Sequence, residues 1–543
     1  MSLVERRHAT HDVLNQPPPL EGYNLFEQDA VLREAVEREG GGWGLDQLRD
    51  FGTTVGGRPL RLGPQADRNP PVLRTHDRYG NRIDDVEFHP AWTELLELGI
   101  RAGIPSLPWS DPRPGGHVVR GAMMMLLSQA ESGVMCPLSM TYAAIPALRH
   151  SPALAAEWEP RLLDPDPETG ALCGMAMTEK QGGSDVRANT TRADPRGDGA
   201  FELTGHKWFC SHPVSDAFLV LAQAPGGLSC FLLPRRLTDG SSNGFHIQRL
   251  KDKLGTRSLA SAEVEFDDSE AWLVGEEGRG VPTIIDMVNH TRLDCVLGSA
   301  AGMRRGVAEA THHTVHRSAF GKPLIDQPLM QNVLADLCIE SEAATLLAMR
   351  LAHAFEPGAE PEFRRLATPV AKYWVCKRAT PHAVEALEVL GGNGFVEDSS
   401  MPRLLRDSPL NSIWEGSGNV IALDVLRVMA KEPRSFEAVL DEVELARGSD
   451  ERLDQAIGSV RDDISALAAS PDSAAYAARR VVERLAIVLQ GSLVIRHSPA
   501  PIAEGFLASR IVRDQGLAFG TLPRGIDAGA IIERHRPRLN AGT

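Results

Sequence analysis

The sequence predicts a mainly helical α+β protein built from four successive domains. Apolar residues recur at helical spacing through both ends of the chain, whereas residues 171–281 change to short strands separated by Gly, Pro and Asp turns. At 543 residues the chain is also too long for a single hydrophobic core. We therefore expect an N-terminal arm and helical domain (1–170), a β domain (171–281), a helical bundle (282–430) and a further helical domain (431–543).

The first domain begins with a proline-rich arm, Asn15-Gln16-Pro17-Pro18-Pro19. Proline lacks a backbone N–H and breaks a helix, so we expect the arm to lie extended on another part of the assembly. Helical patterns such as 92–98 and 121–127 then alternate with Pro and Gly breaks. The rest of this domain is therefore predicted to be helical.

The β domain contains four short apolar segments separated by turn residues. They are residues 201–204, 217–222, 229–233 and 262–266. This spacing is typical of a small antiparallel barrel or sandwich.

Long helical patterns return at about residue 282, and the tail from about 431 forms a separate helical unit. In that tail, four apolar residues recur at helical spacing and need a partner surface. They are Val481, Leu485, Val488 and Leu489.

The composition is that of a soluble globular protein, with 42% hydrophobic and 24% charged residues. The net charge of −15 repels nucleic acid and anionic membranes, so a nucleic-acid function would need a local basic patch. No apolar run approaches the roughly 18 residues of a membrane helix, and no signal peptide is recognisable. The seven scattered cysteines lack a CxxC pair, which indicates reduced thiols rather than disulfides or a metal site. We expect a cytoplasmic protein.

The segment 412–419, Ser-Ile-Trp-Glu-Gly-Ser-Gly-Asn, places one carboxylate, Glu415, on a glycine-punctuated turn before a helical pattern. A carboxylate in this position can be aimed at a ligand, and the small residues after it let a planar cofactor approach the backbone. An acid before a helix is more often a simple capping group. Its interpretation therefore depends on other segments.

Three further features are each ambiguous alone. Residues 177–185 (MTEKQGGSD) form an amide-rich turn suited to a phosphate, or a polar surface hairpin. Residues 205–211 (GHKWFCS) form a strand whose aromatic side chains face a ligand or the core. Residues 386–395 (ALEVLGGNGF) contain a GGNG turn that a helix C-cap also explains.

Together and in this order, these segments resemble the acyl-CoA dehydrogenase flavoproteins. That family binds FAD and oxidises acyl thioesters by removing an α-proton and transferring the β-hydride to the flavin. Glu415 matches the commonest position of the catalytic base. Some members place the base on an earlier helix, but the corresponding residues here, Thr291 and Arg292, include no carboxylate. The resemblance therefore implies Glu415 as the base.

The resemblance also implies the residues that contact FAD. They are Met177, Thr178, Gly183, Ser184, Phe209, Cys210, Ser211, Arg317, Phe320, Gly392, Trp414, Gly416, Gly418 and Asn419. Phe209 and Ser211 stand where the family usually has Trp and Thr. The aromatic ring and the hydroxyl group are both kept, so the resemblance still implies flavin binding. The segment from Arg317 and the GGNG turn meet the cofactor of a neighbouring subunit in the family. Pro328 replaces a common Gln in that contact.

Within the family, the chain is most similar to the alkylation-response members. The arm at 15–17, residues 88–92 (FHPAW), the variant at 178–185 (TEKQGGSD), the segment 411–419 and the extra tail carry this similarity. Ordinary dehydrogenases carry a Pro near Lys180. It implies a homotetramer with weak, isovaleryl-CoA-like dehydrogenase activity. It also implies that the C-terminal domain binds double-stranded DNA non-specifically, and that the protein protects DNA or inactivates alkylating agents.

The charge of the tail permits this DNA function. From Ser473 to the end there are ten arginines, no lysine and five acids, a net charge of +5. Arginine suits bidentate phosphate contacts, although arginines on an amphipathic helix often form only a solvated face, and Arg479 is spaced to pair with Glu483. The expected DNA contacts are Arg427, Arg479, Arg480, Arg484, Arg496, Arg510 and Arg513.

Two alternatives stay open. One is a metabolic dehydrogenase for a short or branched acyl-CoA, whose C-terminal domain serves only oligomerisation. The other is a flavin-bearing scaffold with a vestigial enzyme site. The presence of Glu415 as a candidate base favours an enzyme, whereas the arginine-bearing tail favours the DNA-associated function.

Overall fold

The computed structural model describes residues 13–469 and 471–539. Its helices are α1 (Ala30–Arg38), α2 (Leu45–Val55), α3 (Arg58–Arg68), α4 (Pro90–Arg101), α5 (Leu107–Ser110), α6 (Gly116–Ala130), α7 (Met135–Leu148), α8 (Pro152–Leu162), α9 (Gly280–His316), α10 (Pro328–His353), α11 (Pro361–Val389), α12 (Gly392–Phe395), α13 (Met401–Asp407), α14 (Gly418–Lys431), α15 (Pro433–Glu444), α16 (Glu451–Ala469), α17 (Pro471–His497), α18 (Ala500–Phe506) and α19 (Ala528–His535). The strands are β1 (Val72–His76), β2 (Arg82–Glu87), β3 (Cys173–Ala176), β4 (Arg192–Pro195), β5 (Ala200–Ser211), β6 (Ala217–Ala224), β7 (Gly227–Pro234), β8 (Phe245–Leu250), β9 (Ser261–Val274), β10 (Ser318–Ala319) and β11 (Lys322–Pro323). The order helical, β, helical is as predicted.

The N-terminal region, α1 to α8, differs from the prediction in containing a β-hairpin of β1 and β2. Asp77 makes the turn, because its Oδ1 accepts hydrogen bonds from the backbone N–H groups of Tyr79 and Asn81. The helical periodicity of the surrounding sequence hid this short, two-stranded element. Helices α6 and α7 are buried almost all round, because α6 packs among α2, α3, α9 and α10, and α7 lies between strand β3 and α9.

The β domain is a closed barrel, one of the two predicted architectures. Strands β4, β5, β9, β7 and β6 pair in a ring, β3 adds to β6, and β8 adds to β9. Most pairings are antiparallel, as expected, but β6 pairs in parallel with both β3 and β4. Buried Phe218, Phe231 and Phe245 contribute to the barrel interior.

Helices α9, α10 and α11 form the centre of the bundle, with 37, 26 and 29 residues. The tail is not the separate unit that the sequence predicts, because α15 to α19 share one apolar core with this bundle. The predicted stripe is confirmed: Val481, Leu485, Val488 and Leu489 are at most 2% exposed. At the end of the tail, His535 Nε2 lies 2.9 Å from a Glu342 carboxylate oxygen on α10.

All seven cysteines are buried and free. Burial raises the pKa of the Cys136 thiol to about 12, so this thiol stays protonated near neutral pH. Within the described ranges, no helix combines the length and apolar character needed to cross a membrane.

Candidate active site

Glu415 lies on the turn that leads into α14, in a strained backbone conformation. Its φ of 56° is in the left-handed region, which a residue with a β-carbon rarely adopts. Its Oε2 accepts a hydrogen bond of 2.8 Å from the Thr291 hydroxyl on α9. The carboxylate therefore has a fixed direction, and its second oxygen stays available to a ligand.

Two buried cations hold the turn through its carbonyl groups. Lys372 Nζ on α11 donates to the Trp414 carbonyl at 2.8 Å and to the Gly416 carbonyl at 2.5 Å. Arg292 Nε donates to the Glu415 carbonyl at 3.1 Å. Three consecutive carbonyls are thus fixed from two helices, which is how a strained residue persists at a functional site.

Burial raises the pKa of the Glu415 carboxyl above its ordinary value. The Thr291 hydrogen bond and the positive charges of Arg292 and Lys372 oppose this effect, but burial outweighs them. A carboxylate with a raised pKa is a stronger base, and its protonated form is easier to reach during a reaction near neutral pH.

The loop 177–185 packs against β5, where the Trp208 N–H donates to the Thr178 carbonyl at 2.8 Å. Glycine is required at 183, because a β-carbon there would lie 2.4 Å from Thr178 Oγ1. Gly183 and Ser184 are exposed, whereas Met177 and Thr178 are half-buried. The loop therefore presents backbone and hydroxyl groups outward.

A buried ion pair of Glu179 and Lys207 anchors this loop to the barrel. Lys207 Nζ lies 2.8 Å from the Glu179 carboxylate, and both side chains are fully buried. The carboxylate also accepts the backbone N–H groups of Thr190 and Thr191, at 2.6 and 3.1 Å. Burial raises the pKa of Glu179, but Lys207 and these hydrogen bonds outweigh burial and lower that pKa to about 2.

Strand β5 carries the predicted cofactor contacts Phe209, Cys210 and Ser211. Phe209 is 51% exposed. A ring that stacks on a cofactor has to be accessible before the cofactor binds. Cys210 points the other way, into the barrel core, and is fully buried. The predicted contact of Cys210 with a cofactor is therefore limited to its main chain, because successive side chains of a strand face opposite sides.

The predicted DNA-binding arginines do not form one exposed patch. Arg427, Arg479, Arg480 and Arg513 are exposed, whereas Arg484 and Arg496 are partly buried in ion pairs with Asp463 and Glu442.

The prediction for Arg510 is wrong. Its side chain is 5% exposed and pairs with Asp336 and Glu340 at 2.6 and 2.9 Å. These acids neutralise it inside the protein, so it offers no charge to DNA. The tail's arginine count therefore overstates its surface charge.

A further basic side chain lies beside the Glu415 turn. A β-carbon on Gly418 would be 2.8 Å from the Lys377 side chain and 3.6 Å from the Tyr373 ring. Arg479 Nε donates to the Tyr373 hydroxyl at 3.1 Å. Lys377 and Arg479 therefore both lie near the Tyr373 side chain, next to the first turn of α14.

Three family models match consecutive parts of the chain. The AidB adaptive-response N-terminal domain matches residues 15–167, the acyl-CoA dehydrogenase middle domain 174–269, and the acyl-CoA dehydrogenase C-terminal domain 278–430. The protein AidB of Escherichia coli (strain K12) is 44% identical over 512 residues, covering 92% of this chain and 94% of its own. The chain belongs to the acyl-CoA dehydrogenase family, in its AidB branch.

Solved structures agree with this assignment. The crystal structure of Caenorhabditis elegans ACDH-11, solved in complex with C11-CoA, aligns with a TM-score of 0.84 at 29% identity, covering 96% of this chain and 97% of its own. A Bacillus anthracis acyl-CoA dehydrogenase complexed with FAD aligns with a TM-score of 0.62 at 18% identity, covering 82% of each chain. At this low identity, the likeness to the Bacillus anthracis protein shows a shared fold.

FAD is the cofactor of this family, and the residues present fit it. Gly183 and Ser184 of the loop 177–185 are exposed, and their backbone and hydroxyl groups suit a pyrophosphate. Gly416, with a φ of 102°, would place a β-carbon 2.9 Å from Ile421, so this position of the turn beside Glu415 requires glycine. Trp414 Nε1 donates to Asn411 Oδ1 at 2.9 Å, which orients the indole beside that turn. Gly418 and Asn419 begin α14 at the same place.

The predicted contacts Arg317, Phe320 and Gly392 lie in other segments of the chain. Arg317 ends α9, so at 1.5 Å per residue it is roughly 40 Å along the helix from Thr291. Phe320 is 97% exposed. One chain therefore does not bring these residues to its own Glu415, as expected if they serve a second subunit's cofactor.

The N-terminal arm lies along this second group of residues. Arg317 Nη1 donates to the Asn15 carbonyl at 2.9 Å. The Asn15 side chain accepts from the Ser318 N–H at 2.6 Å and donates to the Ser318 carbonyl at 2.8 Å. Asn393 of the GGNG turn donates to Gln16 Oε1 at 2.6 Å. The arm thus joins two segments that the sequence predicts to meet one cofactor.

Sequence reasoning did not find Lys372 or the role of Lys207. A lysine inside an otherwise apolar helical stretch, as Lys372 is, was the signal available for the first. Lys207 alternates with apolar strand residues and resembles an exposed charge until the barrel closes.

Proposed function

We propose that the protein is a FAD-dependent dehydrogenase that oxidises an acyl-CoA thioester, with Glu415 as the catalytic base. The observation that carries this proposal is the geometry of Glu415. Its backbone is held in a strained conformation by Lys372 and Arg292, and its carboxylate is oriented by Thr291. A capping carboxylate would need none of these contacts.

The chain's own residues account for the proton transfer. Thr291 occupies Oε2 of Glu415, which leaves Oε1 to take the proton from the α-carbon. Arg292 and Lys372 lower the pKa of the Glu415 carboxyl and so favour its ionised form, against the larger opposing effect of burial. When bound, FAD supplies the acceptor for the hydride that leaves the β-carbon, and the acyl chain is left with a carbon–carbon double bond.

An acyl-CoA substrate is supported by the relative solved with C11-CoA. A short or branched, isovaleryl-like chain follows from the resemblance of the sequence to the alkylation-response members. The test is turnover of a thioester panel with an artificial electron acceptor, with products analysed by mass spectrometry. A product two hydrogens lighter supports the proposal, whereas unchanged thioesters throughout the panel contradict it.

A second function, non-specific binding of double-stranded DNA, is favoured by three exposed arginines and one half-buried lysine beside α14. Arg427, Arg479, Arg480 and Lys377 lie on α14, α17 and α11, which contact one another. In a cytoplasmic homotetramer, four copies of this surface could bind one DNA molecule together, so that weak contacts would give a higher overall affinity. The bound DNA would then lie near the flavin. Protection of DNA against alkylating agents is the biological role that this arrangement suits.

The DNA proposal is tested by retention on duplex DNA at increasing salt. In the double variant Arg479→Ala with Arg480→Ala, the slope of log affinity against log salt should fall by about one for each phosphate that the variant no longer binds. Arg192→Ala, which removes an exposed arginine of the barrel, is the control. A wild-type protein that flows through at low salt would instead favour a metabolic dehydrogenase whose tail serves only oligomerisation.

A further inference from the structure

One lysine lies beside the predicted flavin contact Ser211 without an acid paired to it. Lys253 belongs to the segment 251–260, which joins β8 to β9. Its Nζ donates hydrogen bonds to the Leu259 carbonyl at 2.7 Å and to Ser261 Oγ at 3.0 Å. In the part of the chain that the structure describes, no carboxylate forms an ion pair with this ammonium group.

The bond to Ser261 places the ammonium group close to Ser211. The two serines are register partners on the antiparallel strands β9 and β5. Directly opposite residues of such a pair have their β-carbons about 5 Å apart, on the same face of the sheet. Because Lys253 binds the Ser261 hydroxyl, its charge lies next to the side chain that is predicted to contact FAD.

The surroundings of Cys136 on α7 bring the same groups together with the candidate base. Burial raises the pKa of this thiol, whereas a hydrogen bond with Ser211 and the charge of Lys253 lower it. The charge of Glu415 raises it further. Electrostatic effects weaken with distance, so Lys253 and Glu415 are both near this one sulfur atom. Lys253 is therefore close to both predicted parts of the site.

The backbone holds Lys253 in this position. The Lys251 N–H donates to the Ser261 carbonyl at 2.7 Å, and the Thr256 N–H donates to Asp407 Oδ1 at 2.6 Å. The segment is thus fixed on both sides of Lys253, to β9 and to α13. A charge that the fold holds in place does not have to reorganise when the charge of a ligand changes.

The positive charge of Lys253 is only partly neutralised. Burial lowers its pKa to about 8, so the ammonium is the main form at pH 7; Cys136, Asp407 and Glu131 face it and oppose this change. Burial raises the pKa of Asp407 to about 7 and also raises that of Glu131, while Arg403 lies near both acids and lowers their pKa. Asp407 is therefore partly protonated near neutral pH, and both acids are shared between two cations.

This charge matters for a bound flavin because reduction makes the ring negative. A hydride carries two electrons and one proton, so its transfer to a neutral flavin leaves one negative charge on the ring. A nearby cation stabilises that charge and favours the reduced form. We propose that Lys253 raises the reduction potential of the bound FAD through its positive charge. This inference rests on the proposed dehydrogenase function and adds a residue that sets how readily the flavin accepts the hydride.

The test is the midpoint potential of the flavin in the holoprotein, titrated anaerobically with dithionite beside a reference dye at pH 7. Lys253→Met should lower the potential by about 30 mV or more, which is a tenfold shift of the two-electron equilibrium toward oxidised flavin. Lys253→Arg, which keeps the charge, should retain most of the wild-type potential. Lys431→Met, which removes an exposed positive charge at the end of α14, is the control and should leave the potential unchanged.

Ser261→Ala separates the effect of charge from that of structure. It removes one hydrogen bond of Lys253 but leaves the ammonium group bound to the Leu259 carbonyl. The potential should therefore stay near the wild-type value. A fall as large as that in Lys253→Met would show a structural effect and overturn the inference.

The remaining outcomes separate this inference from the dehydrogenase function, because the titration uses no thioester. An unchanged potential in Lys253→Met, or an equal fall in Lys431→Met, overturns the inference even if thioesters are oxidised normally. If Lys253→Met shows the expected fall but no thioester reduces the wild-type flavin, the charge effect is supported and the dehydrogenase function is contradicted. If Lys253→Met does not fold, Lys253→Gln is measured in its place, with the same fall expected.

Discussion

Arg292 and Arg427 bind opposite oxygens of the Asp424 carboxylate. Arg292 Nη1 lies 3.0 Å from Oδ2, and Arg427 pairs with Oδ1. Arg292 is 6% exposed and also holds the Glu415 carbonyl, whereas Arg427 is 56% exposed. A continuous chain of contacts therefore runs from the Glu415 turn to the basic surface beside α14.

Arg427→Ala tests whether this surface meets DNA. If Arg427 contacts a phosphate, the variant should bind duplex DNA several-fold more weakly, and the salt slope should fall by about one. Affinity is measured by fluorescence anisotropy over a range of salt, with Arg192→Ala as the control for removal of a surface charge. An unchanged DNA affinity and salt slope would show that Arg427 does not contact DNA and that its role is the ion pair with Asp424.

Thr291→Val should shift the pH dependence of flavin reduction. Glu415 acts as a base only when ionised, so the rate rises with pH through its pKa, which burial raises. Thr291 donates to the carboxylate and lowers that pKa, so removing the hydroxyl should raise it further and move the acid limb of the rate profile to higher pH. Thr291→Ser should restore the wild-type limb. A limb that stays in place, or moves to lower pH, would show that Glu415 is not the titrating group.

Lys372→Met should disturb both stability and the base. Two carbonyls of the strained turn would lose their donor, which costs about 1–3 kcal/mol in the free energy of unfolding. The loss of the positive charge should also raise the pKa of Glu415 and move the acid limb to higher pH. Denaturant titration and the rate profile measure the two effects, with exposed Lys431→Met as the control. A destabilised variant with an unmoved acid limb would give Lys372 a structural role alone.

Asn15→Ala should weaken FAD binding. The substitution removes both side-chain hydrogen bonds to Ser318. Only the bond from Arg317 to the main-chain carbonyl of residue 15 remains, so the arm is held less firmly beside Arg317, which is predicted to meet a neighbouring subunit's cofactor. We expect a several-fold increase in the dissociation constant of FAD, measured from the fluorescence of released flavin. Leu14→Ala, at an exposed neighbouring position, should bind FAD normally. Equal FAD dissociation constants for the two variants would contradict a role of the arm in FAD binding.

The sequence predicted the elements whose signals are local. The barrel strands were predicted from short apolar segments separated by turn residues, and the Glu415 turn was predicted from its own glycines. The parallel pairing of β6 with β3 and β4 was not predictable, because strand order depends on contacts between segments distant in sequence. The β1–β2 hairpin was missed because its strands are short and largely exposed.

The candidate site was predicted in part for the same reason. Glu415 was found from its own turn, but its orientation depends on Thr291, 124 positions away. Arg510 shows the opposite error: a net charge counts every arginine, whereas Asp336 and Glu340 on α10 neutralise this one inside the fold. Charge counted along a chain does not distinguish surface cations from buried ion pairs.

Anaerobic bleaching of the flavin by acyl-CoA thioesters, in the wild-type protein and in Glu415→Gln, tests directly whether Glu415 is the base of an acyl-CoA dehydrogenase. We predict that at least one thioester reduces the wild-type flavin rapidly, and that the variant keeps its flavin but is reduced about 10²–10⁴-fold more slowly. Equal rates would contradict Glu415 as the base. A wild-type flavin that dithionite reduces but no thioester bleaches would contradict the dehydrogenase function and leave DNA protection as the leading proposal.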